Sequence, residues 1–308
     1  MDNELAAEVW ARLMSGRTLD GLGLPSHEGR TDLRGLVAPA PSKVSKYAAG
    51  GSVVSVLGDV TSIQKGKWSR LDLSGSNLEE LRFRDAVIDD CVFDRSKCRG
   101  WRLWNTRVSA TSFRKADLRG SSLGSGDWGT RNLFSGVDFS QADLRGTSYL
   151  SVEVRGCRFA RMNASGVDFG GALFSECVFE GPVRDVTFRK FALGRESAGD
   201  PPNEMLNVSF RKAHLAWVDF HAMDMREVEW PDDGEHFLIR PYREELERLA
   251  LAWEAASSEL SRRLAVLCRT YLATVAPGRR AGVVSRAELR EVGGEEAVAE
   301  FQRKLLSP

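Results

Sequence analysis

Residues that could catalyse a reaction or bind a metal are scarce in this chain and form no known motif. The four histidines are His27, His214, His221 and His236, of which His214 and His221 are close in sequence. A zinc site needs three or four ligands, and no third ligand accompanies that pair. The sequence has no HExxH, no GxxxxGK[ST], no CxxC pair and no GxGxxG after a predicted strand. We therefore expect no enzyme, no metal and no cofactor, and a solvent-exposed His pair.

The cysteines also give no sign of reactivity. There are five, an odd number, and none are spaced as a redox or zinc pair. Free thiols in a reducing compartment are the simplest interpretation, which favours a cytoplasmic protein. We expect Cys157 and Cys177, which stand twenty residues apart, to be buried and inert.

The overall charge excludes a general attraction to nucleic acid or anionic membrane. Lys and Arg number 43 and Asp and Glu also number 43. The first residues, MDNELAAEVW, lack the basic and apolar regions of a signal peptide. The late apolar stretch LAVLCRTYLATVA is too short to span a bilayer and contains Arg269. We expect no membrane association.

Two local zones of charge are candidate surfaces for a macromolecular partner. Residues 76–94 are acidic, whereas residues 94–107 and 113–119 are basic with tryptophans between the arginines. Interleaved Arg and Trp is typical of binding hot spots and nucleic-acid surfaces. Solvated or internally paired arginines are the favoured interpretation, contact with a protein comes second, and direct nucleic-acid binding comes last. The candidates are Glu79, Glu80, Asp85, Asp89, Asp90 and Asp94 in the acidic zone and Arg99, Trp101, Arg102 and Trp104 in the basic zone.

An unusual period must position these side chains. Phe113, Leu118 and Leu123 stand five residues apart, which matches neither the period of two in a strand nor that of 3.6 in a helix. This apolar register runs from Leu73 to Leu133, resumes after one inserted residue from Phe139 to Phe179, falters near Pro182, shows again at Phe188 and Leu193, and returns from Phe210 to Trp230.

A second pattern accompanies the large apolar residues. A small residue stands two positions before most of them, and Asp or Asn often lies between, as in Ala116, Asp117 and Leu118. Residues two apart in an extended segment point to the same side, and Asp, Asn and Gly tolerate the backbone conformations of corners. The chain is therefore predicted to wind into a solenoid whose coils cover one another.

The stretches ADLRGSSL, VDFSQADLRGTSYL and VDFGGALF resemble the A(D/N)LXX motif of the pentapeptide-repeat family, and the resemblance covers residues 68–232. It implies a mainly β fold, a right-handed quadrilateral β-helix with four pentapeptides per coil and roughly seven coils. Departures from the motif are expected to disturb single coils. They are Trp101, Arg131 and Phe191 at small positions and Cys98 and Ala164 at large positions.

The regions outside the repeat complete the predicted organisation. Residues 1–60 read as a capping segment with a short helix and a hairpin or capping strand, residues 61–232 as the β-helix, and residues 233–308 as an α-helical region. A Gly- and Pro-containing loop at 194–206 must project from the solenoid. Its candidate contact residues are Arg195, Glu196, Asp200 and Asn203.

The C-terminal region has a helical apolar stripe. We expect one helix of about 30 residues from Pro241, a second from Ser285 with Glu288 at capping-box spacing, and a third after Gly294. The stripe either caps the open end of the solenoid, the favoured alternative, or forms a homodimer interface. Its residues are Leu246, Leu249, Trp253, Leu260, Leu264 and Leu267.

Two functions are compatible with these observations. The favoured one is a non-catalytic scaffold that binds another protein through the loop, the charged walls or the C-terminal region. The alternative follows from the resemblance, because one branch of the family imitates duplex DNA and protects type II topoisomerases, gyrase in particular, from quinolones. The mixed charge of the repeat region argues against a uniform DNA mimic.

Overall fold

In a computed structural model of the chain, the segments with the five-residue register form the parallel strands of a β-solenoid, and helices follow them in sequence. The structure describes residues 2–39, 43–49, 52–58, 61–124, 130–150, 152–195 and 199–307. The chain divides into two units, Met1–Arg158 and Phe159–Pro308.

The first unit contains helix α1 (Asn3–Ser15) and a series of short strands. Asp2 caps the helix, because its Oδ1 accepts a hydrogen bond from the amide of Leu5 at 2.8 Å. The strands of this unit are β1 (Ser26–His27), β2 (Arg30–Asp32), β3 (Lys43–Ala49), β4 (Ser52–Gly58), β5 (Ser62–Gln64), β6 (Lys67–Ser69), β7 (Leu71–Asp72), β8 (Arg82–Arg84), β9 (Val87–Asp89), β10 (Arg102–Trp104), β11 (Arg107–Ser109), β12 (Asn132–Ser135) and β13 (Val152–Arg155).

Strand pairing in this unit shows that four pentapeptides make one coil. Phe83 of β8 lies opposite Ile63 of β5 and Leu103 of β10, twenty residues away on either side, and both ladders are parallel. Trp68 of β6 lies opposite Ile88 of β9 in the same register. All five side chains are buried, so residues at this interval form columns inside the solenoid.

Stacked aromatic rings fill much of the interior. The ring centroids of Phe93 and Phe113 are 4.9 Å apart with an interplanar angle of 8°, and those of Phe113 and Phe139 are 5.6 Å apart at the same angle. These distances follow from the spacing of about 4.8 Å between neighbouring strands. The small residue Ala116 and the large residue Leu118 are buried as well. Both positions of the motif thus face a packed core in this coil, as the sequence predicts.

Left-handed backbone at the second residue after most of the large interior residues turns the corners. Glycine relieves the strain at Gly120, where φ is +67°, but Arg95 and Lys115 adopt the same conformation at +59°. A non-glycine residue in this region costs about 1–2 kcal/mol. The aspartate of the motif helps to hold the turn, since Asp143 Oδ1 accepts from the amide of Arg145 at 3.2 Å.

The predicted boundary of the N-terminal segment at residue 60 is wrong. Thr31 pairs with Leu71 and Val37 with Asn77, each forty residues ahead, so residues 31–38 already belong to a coil. The hairpin β3–β4 accounts for the additional twenty residues. This insertion hid the period, because less than two pentapeptides precede it.

Helix α1 covers this first coil, in agreement with the prediction of a capping helix. Trp10 Nε1 donates a hydrogen bond to the carbonyl of Val37 at 2.7 Å, and its ring lies 6.1 Å from that of Trp68. Both indoles are buried. The helix thereby shields an end of the first unit that would otherwise expose its interior.

The register changes before Leu133, not after it as the sequence suggested. Val108 pairs with Phe134, twenty-six residues ahead, so six residues are inserted and Phe134 rather than Leu133 is the buried residue. Six added residues equal one pentapeptide plus one residue. The added pentapeptide therefore keeps the five-residue register, and only a one-residue insertion is visible in the sequence. Trp128, another position of the predicted register, lies outside the described residues.

The second unit also contains long strands paired in parallel. Val183 pairs with Leu215 and Phe188 with Phe220, both thirty-two residues ahead, because this coil contains the loop near residues 194–206. Val183 is buried although it stands only four residues after Phe179, so this repeat is one residue short. Leu193, predicted to be interior, is 78% exposed. The strands are β14 (Arg158–Ala160), which begins at the last residue of the first unit, β15 (Ala172–Ser175), β16 (Val178–Arg189), β17 (Val208–His221), β18 (Val228–Glu229), β19 (His236–Ile239) and β20 (Gly282–Ser285).

The helical region differs from the sequence expectation in how its helices are divided. The expected long helix is two helices, α2 (Tyr242–Glu254) and α3 (Glu259–Thr274). The chain breaks between them because Ser258 caps α3 by accepting from the amide of Ser261 at 3.0 Å. Helix α4 (Arg286–Leu305) begins with the predicted capping box and is kinked at Gly293 and Gly294.

The apolar stripe is used inside the second unit. Leu246, Leu249, Trp253, Leu264 and Leu267 are buried in one cluster and Leu260 packs against it. The ring of Trp253 lies 5.6 Å from that of Phe301 of α4. The chain's own helices cover this stripe, which favours the capping alternative, and a homodimer through the C-terminal region stays a prediction.

A buried arginine closes the end of the repeat. Arg279 lies 5.3 Å from the ring centroids of Phe220 and Trp230, the last large interior residues, and 4.6 Å from that of Tyr242. Its Nε donates to the carbonyl of Ala281 at 3.0 Å. The guanidinium replaces the next aromatic layer of the stack through cation–π contacts. This arrangement supports the capping alternative.

Candidate functional site

The histidines do not come together as a ligand set. His214 and His221 expose 62% and 42% of their side chains, as the sequence predicts. His236 is buried, with Nδ1 2.9 Å from Asp233 and Nε2 accepting from the amide of Leu215 at 3.0 Å. His27 contacts Asp72. Within the part of the chain that the structure describes, no three His, Cys, Asp or Glu side chains could hold a metal.

The thiols lie in the interior, as expected. All five cysteines are free and buried. Burial raises the pKa of Cys91 and of Cys268 to about 12. Because the thiolate is the reactive form, these groups are poor nucleophiles.

The six acidic candidates encircle the solenoid instead of forming a row. Glu80, Asp85 and Asp90 occupy three successive left-handed corners. Because four pentapeptides make one coil, successive corners face different directions. A partner that approached one wall would meet a minority of these carboxylates.

Neighbouring side chains also neutralise or bind the acidic candidates. Asp90 forms an ion pair with Arg30 at 2.5 Å, and Asp85 accepts from Asn105 at 2.7 Å. Burial raises the pKa of Glu80, whose carboxylate lies against Gly100. The other three bind in the same way, Asp89 to Ser109, Asp94 to Ser112 and Glu79 to Arg99.

The basic candidates are paired inside the molecule. Arg99 Nε donates to Asp117 at 2.6 Å, and Arg102 Nη1 donates to the carbonyl of Gly120 at 2.7 Å. Asp117 also binds Arg119 through both its oxygens. This geometry confirms internal pairing of arginines as the better interpretation of the basic zone.

The two tryptophans of the basic zone have different roles. Trp101 is fully buried, and its Nε1 donates to the carbonyl of Leu78 at 2.6 Å, so its prediction as a contact residue is wrong. The neighbouring coils accommodate the large ring at a small-residue position by packing it against Phe83 and Phe113. Trp104 is half-buried beneath Arg84, whose guanidinium carbon lies 5.1 Å from the ring centroid.

The loop at 194–206 has a structured base. Arg195 Nε donates to Asp200 at 3.0 Å, which joins the two sides of the loop. Asn203, predicted to face a partner, is 2% exposed, and its Oδ1 accepts from the amides of Phe174 and Met205 at 3.1 and 3.3 Å. It is buried because it occupies a small-residue position where the loop rejoins the coil. Glu196 lies outside the described residues.

A pocket lies at the base of this loop. Its volume is about 310 Å³. Leu206 and Met225 contribute apolar surface, and the end of the loop and the following coil provide the remaining walls. The lining residues are Lys190, Asn203, Glu204, Leu206, Asp224, Met225, Arg226 and Glu227.

The sequence analysis missed this pocket. It expected a hairpin or capping strand and one inserted residue, but not that the hairpin β3–β4 falls inside a coil or that six residues are added between Val108 and Phe134. The segment TDLRG at 31–35 was a detectable signal for an earlier coil. The pocket had no such signal, because Leu206 and Glu227 come together only through coiling.

In the described segments, none of the helices has the length and apolar character needed to cross a membrane.

Comparison with known proteins gives structural likenesses alone. No protein-family model and no curated protein matches the sequence. The solved structure of QnrB1, a plasmid-mediated fluoroquinolone resistance protein, matches with 15% identity over 48% of this chain and 82% of that chain, at a TM-score of 0.24. HetL, a pentapeptide-repeat protein involved in heterocyst differentiation regulation in the cyanobacterium Nostoc, matches with 14% identity over 56% and 90% of the two chains, at a TM-score of 0.21.

A third solved structure, the pentapeptide-repeat protein Rfr23 from the cyanobacterium Cyanothece, is 12% identical over 44% of this chain and 88% of that one, at a TM-score of 0.23. At such values these likenesses carry no argument about function. The pentapeptide-repeat architecture follows from the chain's own five-residue register and twenty-residue coil.

Proposed function

We propose that this pentapeptide-repeat protein is a non-catalytic scaffold that binds another protein. The observation that carries the proposal is the contrast between the coils and their insertions. Side chains fill the coil interiors, and Arg99, Asp117 and Arg119 on the walls bind one another. The hairpin β3–β4 and the loop near residues 194–206 interrupt an otherwise repeated register. Loops that a rigid framework positions are common binding elements.

The chemistry of the described residues supports binding more than catalysis. The thiols are buried, the histidines are dispersed, and the acidic and basic candidates are engaged in ion pairs and hydrogen bonds. A cytoplasmic location, suggested by the free thiols, is part of the same proposal.

A DNA mimic that protects a type II topoisomerase is the second candidate. It would need a row of unpaired carboxylates where a DNA duplex presents phosphates. The distribution of Glu80, Asp85 and Asp90 around the coil favours the scaffold over this alternative. A direct assay with gyrase tests this second candidate.

Capture of partners with matched baits tests the scaffold. The intact chain and a variant whose residues 196–202 are replaced by two glycines are immobilised, and proteins retained in moderate salt are identified by mass spectrometry. We expect at least one protein to be retained by the intact chain and lost by the variant. A control bait, Glu153→Gln, should retain it. Identical retention by all three baits, or none by any, would contradict a scaffold that uses this loop.

A further inference from the structure

The pocket at the loop base combines an apolar surface with an excess of negative charge. Leu206 is 40% exposed there, and Met225, although buried, also lines the pocket. A volume of about 310 Å³ corresponds to roughly ten water molecules, which is enough for a leucine-sized side chain and part of its backbone. An exposed apolar side chain in such a concave site favours an apolar ligand group.

The register places two carboxylates of the pocket in neighbouring coils. Val208 pairs with Val228 twenty residues ahead, so Glu204 stands one coil of twenty residues before Asp224. Arg226 lies 3.6 Å from Asp224. Arg226 therefore pairs with Asp224 and not with Glu204.

The remaining charges do not balance the pocket. Among the residues that the structure describes, neither Glu204 nor Glu227 has an ion-pair partner. Lys190 is the other cation of the lining, and its Nζ lies over the ring of Phe191 at 5.9 Å. Three carboxylates therefore face two cations, and the surplus is negative. A ligand with positive charge beside its apolar group would complement this rim.

Asn203, one of the lining residues, carries a buried polar atom without a partner in the described chain. Its Oδ1 accepts two backbone amides, which fixes the orientation of the side-chain amide. Its Nδ2 is buried and has no hydrogen-bond acceptor in the described chain. An unsatisfied buried donor costs about 1–3 kcal/mol.

From these observations we infer that the pocket binds a short segment of a protein partner in which an apolar side chain is flanked by Lys or Arg. The apolar side chain occupies the surface at Leu206 and Met225, and the flanking cations lie at Glu204 and Glu227. This inference rests on the proposed scaffold function and names the chemistry of the partner at one place. Polar contacts at the rim add specificity, and the apolar anchor contributes most of the affinity.

Labelled peptides test the inference on the full chain. The probe is a fluorescein-labelled pentapeptide with a central leucine and two arginines on each side. Two matched peptides replace the leucine by serine or the arginines by glutamates. In fluorescence anisotropy at low salt we expect binding in the order arginine–leucine, arginine–serine, glutamate–leucine, with the first weakened by added salt.

Variants locate the binding. The double variant Glu204→Gln/Glu227→Gln should weaken the arginine–leucine peptide by roughly 2- to 20-fold and reduce its salt dependence. Leu206→Ala should narrow the difference between the leucine and serine peptides. The control Glu28→Gln/Glu153→Gln, which removes two carboxylates from the first unit, should change neither, and circular dichroism verifies that all variants are folded.

Three outcomes would overturn the inference. They are absence of binding by the arginine–leucine peptide at millimolar protein, equal binding of all three peptides, and equal weakening by the control variant. Failure of the scaffold is distinguishable from these. If the partner captured through the loop is still retained by Glu204→Gln/Glu227→Gln, the scaffold stands and the pocket assignment falls. If nothing is captured but the peptide binds selectively, the reverse holds.

Discussion

At the scale of single residues, Asn132 and Asn203 show how the chain absorbs long insertions. Each stands at a small-residue position where an insertion rejoins a coil. Asn132 Oδ1 accepts from the amide of Thr106 at 2.8 Å, and its Nδ2 donates to the carbonyls of Leu103 and Leu123 at 2.9 and 2.8 Å. The side chain thus satisfies backbone groups that an uninterrupted coil would pair differently.

Asn132→Ala tests this role. The substitution removes three buried hydrogen bonds and leaves their backbone partners unsatisfied, so we expect a loss of about 2–4 kcal/mol in the free energy of unfolding, measured with denaturant. Asn105→Ala, at an exposed corner bonded to Asp85, is the control and should cost less than about 1 kcal/mol. Similar losses in the two variants would show that Asn132 has no special part in closing the insertion.

Glu288, another buried polar residue, attaches the helical cap to the last coil. Glu288 Oε1 accepts from the amide of Trp217, and Oε2 accepts from the hydroxyl of Tyr271 and the amide of Ser285. Both oxygens are therefore acceptors, and burial raises the pKa of this carboxyl. A raised folded-state pKa adds stability that is present at low pH and is lost as pH rises through it.

Glu288→Gln should destabilise the cap. The amide group replaces one acceptor by a donor and places it against an N–H or O–H donor, so we expect a loss of about 1–3 kcal/mol. Hydrogen exchange of α4 amides should report the loss locally. Glu244→Gln, exposed on α2, is the matched control. If α4 exchanges at the same rate in both variants, the carboxylate of Glu288 does not hold the cap.

At the scale of elements, coils without insertions could be predicted from the sequence, whereas coils that contain insertions could not. The columns at Phe113 and Leu118 were predictable, because twenty-residue pairing is a direct consequence of an unbroken period. Leu133 was assigned wrongly because an insertion near five residues long preserves the apparent period. Trp101 and Asn203 were assigned to the surface by residue type, but both stand at small-residue positions whose side chains the coil turns inward. Their burial depends on register, which local composition does not encode.

Removal of the hairpin tests the register of the first coil. Deletion of residues 40–59 shortens the forty-residue step between Thr31 and Leu71 to twenty, the length of a regular coil. We expect the shortened chain to stay folded, with its stability within about 2 kcal/mol of the intact chain, because loop length contributes weakly to stability. Circular dichroism and denaturant unfolding measure this.

The control for that deletion removes residues 39–60, which leaves the coil two residues short. It cannot close without strain and should be several kcal/mol less stable, on the order of 2–4. Equal stability of the two deletions would mean that residues 31–38 are not part of a coil.

At the scale of the whole molecule, balanced charge decides which partners fit. The chain has 43 basic and 43 acidic residues, and in the first unit they alternate along the solenoid. Glu79, Arg99, Asp117, Arg119 and Asp143 form a continuous network, with contacts of 3.8, 2.6, 2.8 and 3.5 Å between successive members. Such a network cancels its own field at a distance. Recognition must then come from shape and local contacts at the insertions.

The topoisomerase alternative instead requires a row of unpaired carboxylates, and a gyrase assay can test it directly. A DNA mimic competes with DNA, so added protein should change gyrase supercoiling or shield the enzyme from a quinolone in a gel assay. Replacing the carboxylates of Glu79, Glu80, Asp85, Asp89, Asp90 and Asp94 by neutral amides should weaken that effect and flatten its salt dependence. Because these side chains surround the coil and bind neighbouring residues, we expect no effect of the intact chain at any ratio to the enzyme. Protection that disappears with the six substitutions, in protein that remains folded, would reverse this conclusion and make the DNA mimic the better account of the molecule.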